Sequence, residues 1–311
     1  MPMTRPFRAL VTLLVLLALA APAAAQPLAG ELVTLEHGGL EREYYLYVPP
    51  GLSQGAPLVV VLHGRGGTAQ GMARLTGYDE VAAARGFAVV YPQGIDAQWN
   101  YVAGIEGYEL PADDIDFLRT LAGDLVEAHG LDPKRVYVAG FSNGGYMAQR
   151  LACEARDVFA AFATVGAAGY AGMPGVCLDA APVSLLMVHG TADAVVPFDG
   201  MVVDTPRGPV TLLASVQQTL SFWAAFAGCD ANALHRALPS RGLSAGTEVH
   251  VYAVTGCQGG HEVELVAVVG GGHNWPGRPG LLPADVGGRV NTDIDASDYI
   301  WEFFARQPAQ P

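Results

Sequence analysis

The order of patterns along the chain predicts an α/β fold, a mostly parallel central sheet with helices on both faces. Three observations carry that expectation. Apolar runs of strand length alternate with amphipathic stretches of helical spacing from about residue 57 to the end. The runs are apolar throughout, which fits strands buried on both faces. At 311 residues and 51% hydrophobic, the chain can also close one large core.

The elements follow in order. Glu31–Val48 alternates enough for two antiparallel strands, with Gly38-Gly39 as the turn. Pro57–Leu62 is an apolar run that ends at His63-Gly64. Thr76–Arg85 reads as a helix closed by Gly86, and Phe87–Tyr91 as a second buried strand followed by a loop with Trp99 and Tyr101. Asp113–His129 has helical spacing, with Asp113 or Asp114 as cap and Gly130 as terminator. Val136–Ala139 is a strand, Gly144–Ala155 a helix, Phe159–Val165 a strand, and Ser184–Val188 a strand before His189-Gly190. Val210–Ala227 reads as helical, Glu248–Val254 and Glu262–Val269 as strands, and Ser297–Arg306 as a closing helix. No linker divides residues 26–311, so one domain is expected.

Residues 1–25 stand apart. Arg5 and Arg8 precede the apolar run Ala9–Ala21, and Ala23-Ala24-Ala25 supplies small residues for cleavage. The run is shorter than the ~20 residues a spanning helix needs. A cleaved signal peptide is therefore expected, and with it an extracellular or periplasmic protein that does not stay in the membrane. The chain carries 17 basic and 30 acidic residues, and removing both leader arginines brings the formal charge to −15. Such acidity disfavours nucleic acid and anionic lipid as partners. Cys153, Cys177, Cys229 and Cys257 are an even set without a C-x-x-C neighbour, which points to two disulfides and away from zinc. Of the three pairings, Cys153–Cys177 with Cys229–Cys257 closes the shorter loops and is the one expected.

G-x-S-x-G occurs around Ser53, Ser142 and Ser244. The motif means nucleophile only where a strand turns sharply into a helix. Ser53 and Ser244 lie in polar turns that lead into strands. Ser142 alone ends a buried run and opens a helix, which selects it as nucleophile. A serine hydroxyl needs a base to take its proton and a third group to orient that base. Asp193, just past the Ser184–Val188 strand, is the candidate acid, ahead of Asp199 and Asp204. His273 follows the last long strand and three glycines, and is preferred as base over His235, His250 and His261. The Asn143 amide and one from Gly64 or Arg65 are the candidate oxyanion donors. Trp99 and Trp275 are candidate substrate-stacking faces at the same sheet edge.

Two other readings compete with this one. Gly64-Arg-Gly66-Gly-Thr-Ala69 fits a dinucleotide loop, but the next strand ends Tyr91-Pro92-Gln93 without the ribose-binding acid. A non-catalytic carbohydrate- or polymer-binding protein on a hydrolase scaffold would not need all three of Ser142, Asp193 and His273 in suitable contexts.

Four blocks, Gly140-Phe-Ser-Asn-Gly-Gly145, Arg150-Leu-Ala-Cys-Glu154, His189-Gly-Thr-Ala-Asp-Ala-Val-Val-Pro197 and Gly271-Gly-His-Asn-Trp-Pro-Gly277, resemble the secreted polyhydroxybutyrate depolymerase and feruloyl esterase group. The likeness runs from about Glu41 to Phe304. It implies the α/β-hydrolase fold, hydrolysis of carboxylic esters through the same three residues, and no cofactor or metal. The implied substrates are plant cell-wall phenolic esters or polyester oligomers. Arg65 departs from the small or uncharged residue expected in the oxyanion loop.

Overall fold

The computed structural model describes residues 28–102, 110–177, 181–206, 208–230, 233–244 and 246–310, so the expected signal peptide lies outside the described residues. The chain opens with β1 (Glu31–His37) and β2 (Leu40–Tyr47), an antiparallel hairpin whose turn residues Gly38 and Gly39 both have positive φ. It continues through β3 (Leu58–Leu62), α1 (Ala69–Thr76), α2 (Tyr78–Arg85), β4 (Ala88–Pro92), α3 (Asp114–His129), β5 (Val136–Phe141), α4 (Asn143–Glu154) and β6 (Ala161–Val165). The short α5 (Met173–Val176), β7 (Ser184–Gly190), β8 (Met201–Thr205), β9 (Gly208–Leu213) and α6 (Val216–Phe226) follow. The chain closes with β10 (Ala233–Ala237), β11 (Glu248–Val254), β12 (Val263–Val269), the short α7 (Ala284–Gly287) and α8 (Ala296–Ala305).

Ten strands form one sheet in the order β1-β2-β4-β3-β5-β6-β7-β12-β11-β10. The six central strands from β4 to β12 are parallel, and antiparallel pairs finish both edges. The central strands are apolar throughout because both faces are covered. Leu58, Val60 and Leu62 of β3 pack into one core with Val136, Val138 and residues of α3, α4 and α6. Val59 and Val61 face the other core with Tyr137, Ala139 and residues of α1, α2 and α8. This is the α/β-hydrolase architecture, and it sends the turns after β3, β5, β6, β7 and β12 to one edge.

Several elements differ from the sequence reading. The helix expected over Thr76–Arg85 is α2, which begins at Tyr78; the helix before it, α1, was not expected, and Gly77 with φ 60° separates the two. The helix expected from Val210 begins at Val216, and Val210–Leu213 is the second strand of the separate β8–β9 hairpin. The true start carries a full capping box, in which Ser215 and Gln218 satisfy each other's backbone amides. Strand β10 is exposed along its length and had no apolar signal. Of the two candidate caps, Asp113 accepts from the Asp116 amide. Asp114 is instead buried, bonded to Arg42 at 2.7 Å and to the Asn100 amide. Cys153 is bonded to Cys177 and Cys229 to Cys257, bracing the ends of α4 and α6.

Candidate active site

Ser142 stands at the turn from β5 into α4 with φ 52° and ψ −114°, outside the regions a serine ordinarily takes. The surroundings impose this geometry. Its amide donates to Val165 O at 2.8 Å, and its carbonyl accepts from Gly145 and Tyr146. The flanking glycines permit the crossing. A Cβ at Gly140 would lie 2.1 Å from Gly144 O, and one at Gly144 would lie 2.4 Å from Leu62 O. The turn presents the hydroxyl at the amino end of α4, where unpaired amides and the helix dipole favour developing negative charge.

Asp193 and His273, reached along β7 and β12, meet at this edge. His273 Nδ1 donates to Asp193 Oδ2 at 2.6 Å, and both residues are buried. The other carboxylate oxygen, Oδ1, accepts from the amides of Val195 and Val196, each at 2.8 Å. These bonds fix the carboxylate and assign the Nδ1 proton, leaving Nε2 as the nitrogen free to accept one. The imidazole packs 4.9 Å from the Phe141 ring, immediately before Ser142, and against Gly166, immediately after the carbonyl that holds the Ser142 amide.

The loop after β3 supplies the opposite wall. Gly64 Cα lies against Phe141 and Ser142, so a Cβ there would sit 3.4 Å from Ser142 Cβ. The Gly66 and Gly67 amides are committed to Ala97 O and Gly64 O, which leaves the Gly64 and Arg65 amides as candidate donors. His63 orients this loop. Its Nε2 accepts from the Gly94 amide at 2.9 Å, so Nδ1 carries the proton and donates to Gly64 O at 2.7 Å. Burial pushes the His63 pKa below its ordinary value, despite the bond to Gly64, and favours that neutral form. Holding Gly64 O on one side turns the N–H of the same peptide unit, that of Arg65, to the other. The Arg65 guanidinium is exposed and donates to Gln98 Oε1 at 2.7 Å.

The two tryptophans require a correction. Trp99 and Trp275 are each only 1% exposed, so neither presents an indole face to a substrate. Trp99 Nε1 donates to His63 O, and its amide donates to the Asn143 side chain, tying the loop after β4 to both segments that carry candidate oxyanion donors. Trp275 donates to Ser297 Oγ at 3.0 Å and packs edge-on against Tyr78 and Phe141. Both are anchors, because in each case the apolar body and the N–H find their partners inside the protein.

The remaining serines and histidines lie elsewhere. Ser244 is buried against Thr292, His235 and His250 face each other across β10 and β11, and His261 meets Ser184. Sequence reasoning gave no role to His63 or His189, although each stands before a glycine at the end of a parallel strand. It also missed Tyr101, Tyr146 and Tyr170, whose rings pack together beside the start of α4. Among the described residues, no group of three or more His, Cys, Asp or Glu is placed to hold a metal ion.

Residues 42–173 match the family model described as esterase PHB depolymerase. NocK of Nocardia uniformis subsp. tsuyamanensis, provisionally named an esterase, is 34% identical over 277 residues, covering 85% of this chain and 79% of NocK. The chain belongs to the polyhydroxybutyrate depolymerase and feruloyl esterase group. Within this esterase group, feruloyl esterase C of Emericella nidulans is 28% identical over 90% of this chain and 91% of its own. Feruloyl esterase B of Piromyces equi is 28% identical over 75% of this chain but only 42% of its own. The acetyl xylan esterase of Aspergillus awamori superposes with a TM-score of 0.61 over 89% of this chain and 99% of its own, at 16% identity, which shows the shared fold. The protein is a carboxylic-ester hydrolase of α/β-hydrolase fold.

Proposed function

We propose that this esterase works through an acyl-enzyme on Ser142, with His273 as general base and Asp193 orienting it. The observation that carries the reading is the buried Asp193–His273 hydrogen bond beside a serine held at positive φ on a strand-to-helix turn. Ser142 Oγ attacks the ester carbonyl as His273 Nε2 takes its proton. The tetrahedral oxyanion accepts from the Asn143 amide and from the Arg65 or Gly64 amide, donors that are in place before the reaction begins. Collapse expels the alcohol, which takes the proton back from His273. Water then attacks the acyl-enzyme by the same route and frees the acid.

The substrates we assign are feruloyl-type or short hydroxyalkanoate esters, the chemistry named for the feruloyl esterases and for the poly(3-hydroxyalkanoate) depolymerase C of Paucimonas lemoignei among the relatives. The leader-like residues 1–25 and the two disulfides support export, with residues 26–311 as one catalytic domain. Steady-state assays on methyl ferulate, an acetylated sugar and a hydroxybutyrate oligomer test the substrate class. Turnover of the acetylated sugar alone would overturn it. Ser142→Ala should abolish hydrolysis while Ser53→Ala and Ser244→Ala retain it, and normal turnover by folded Ser142→Ala would overturn the mechanism.

A further inference from the structure

We infer that His189 is a positioning residue for the Asp193–His273 pair, acting through the Val196 carbonyl. The inference rests on the proposed triad and adds a fourth side chain to it. His189 is the next-to-last residue of β7, four residues before Asp193, and is 1% exposed. Its Nε2 lies 2.8 Å from Val196 O, a carbonyl that can only accept, so Nε2 carries the proton. The same residue, Val196, donates its amide to Asp193 Oδ1. One residue of the acid loop is thus held through its carbonyl by β7 while its amide holds the carboxylate. Among the described residues, the Val195 amide makes the one other hydrogen bond to Oδ1, also at 2.8 Å.

The imidazole also faces the reacting pair directly. Nε2 is 3.6 Å from Asp193 Oδ2, the oxygen that accepts the hydrogen bond from His273 Nδ1. That is too long for a hydrogen bond, and the N–H is already given to Val196 O, so the ring acts on the carboxylate through the loop. The ring is kept in place by an edge-on contact with Phe198, 5.9 Å between centroids. Burial holds its pKa below the ordinary value against opposing influences from Asp193 and the Val196 and Ala167 backbones. A neutral ring suits the task. An imidazolium would pair with Asp193 and compete with His273 for Oδ2, whereas the neutral ring only orients the loop that carries it.

His189→Gln keeps an amide donor at about the reach of Nε2, while His189→Asn places its donor short of Val196 and His189→Leu removes it. Three readouts separate positioning from bulk stability. They are kcat and KM on a p-nitrophenyl ester, the melting temperature, and the low-field proton resonance of a His Nδ1–H bonded to a carboxylate. His189→Asn and His189→Leu should lose kcat by about 10–100-fold, the scale of a small misplacement of reacting groups, with KM within about twofold. Their low-field resonance should shift or broaden, and His189→Gln should recover both. Folded His189→Asn with unchanged kcat and resonance would overturn the inference. Asp193→Asn is the control for the underlying triad. If it leaves kcat and the low-field proton intact, the triad has failed; if it abolishes both while the His189 variants behave as wild type, only the role of His189 has failed.

Discussion

Replacing Trp275 by Phe tests whether this side chain is an anchor or a substrate face. The indole is fully buried, its N–H bonds Ser297 Oγ at 3.0 Å, and Ser297 in turn donates to Thr76 O, so the ring ties the segment after His273 to α8 and α1. Losing the hydrogen bond should cost about 0.5–1.5 kcal/mol. The space between indole and phenyl, roughly 40 Å³, adds about 1 kcal/mol at ~24 cal/mol per Å³ of residual cavity. A total of about 2 kcal/mol lowers the melting temperature by roughly 3–4 °C in a domain of this size. Thermal unfolding should show that drop. The ratio of kcat/KM for methyl ferulate to that for p-nitrophenyl acetate should stay within about twofold of wild type. An unchanged melting temperature with a selective loss on the aromatic ester would refute the anchor role.

Gly166 has φ 62°, and a Cβ there would lie 2.9 Å from His273 Cε1, so Gly166→Ala should displace the base and cut kcat by at least about 100-fold; stopped or steady-state assays on any turned-over ester check this, and retained activity contradicts the placement of His273. Cys153 and Cys177 close a loop of 24 residues, so the paired Cys153→Ser and Cys177→Ser change should cost about 3 kcal/mol by loop-closure entropy, read from the urea midpoint. Burial holds the pKa values of His63, His189 and His261 below the ordinary 6.5, so the unfolded chain binds protons that the folded chain refuses. Their contribution to stability is complete above pH 6.5 and declines as the pH falls below it; His261→Gln, remote from the reacting groups, should reduce the slope of urea midpoint against pH between 6.5 and 5, and an unchanged slope contradicts it.

The parallel core was legible because its strands are apolar on both faces, as β3 and β5 illustrate with successive residues in opposite cores. The sheet edges were less so. Strand β10 has exposed side chains, and the contacts they make, such as His235 with His250, are polar, so no apolar pattern marks it. Val210–Leu213 merged with the helix that follows because a short apolar run fits either period, although Ser215 with Gln218 carried the boundary. At the site, strand-end context singled out Ser142, Asp193 and His273, and the structure joins the last two directly. Which way Trp99 and Trp275 point was not legible. Their N–H partners are His63 and Ser297, separated from them by 36 and 22 residues, and only the closed fold brings those together.

Covalent trapping tests the central claim most directly. A fluorophosphonate reacts with a serine activated by a neighbouring base and leaves a stable adduct on its oxygen. Incubation with one equivalent, followed by intact-mass measurement and peptide mapping, should find a single adduct on Ser142, with hydrolysis lost in proportion to labelling. The adduct should be absent from Ser142→Ala and strongly slowed in His273→Ala. Labelling at Ser53, Ser244 or another serine, or full hydrolytic activity after stoichiometric modification of Ser142, would contradict the account.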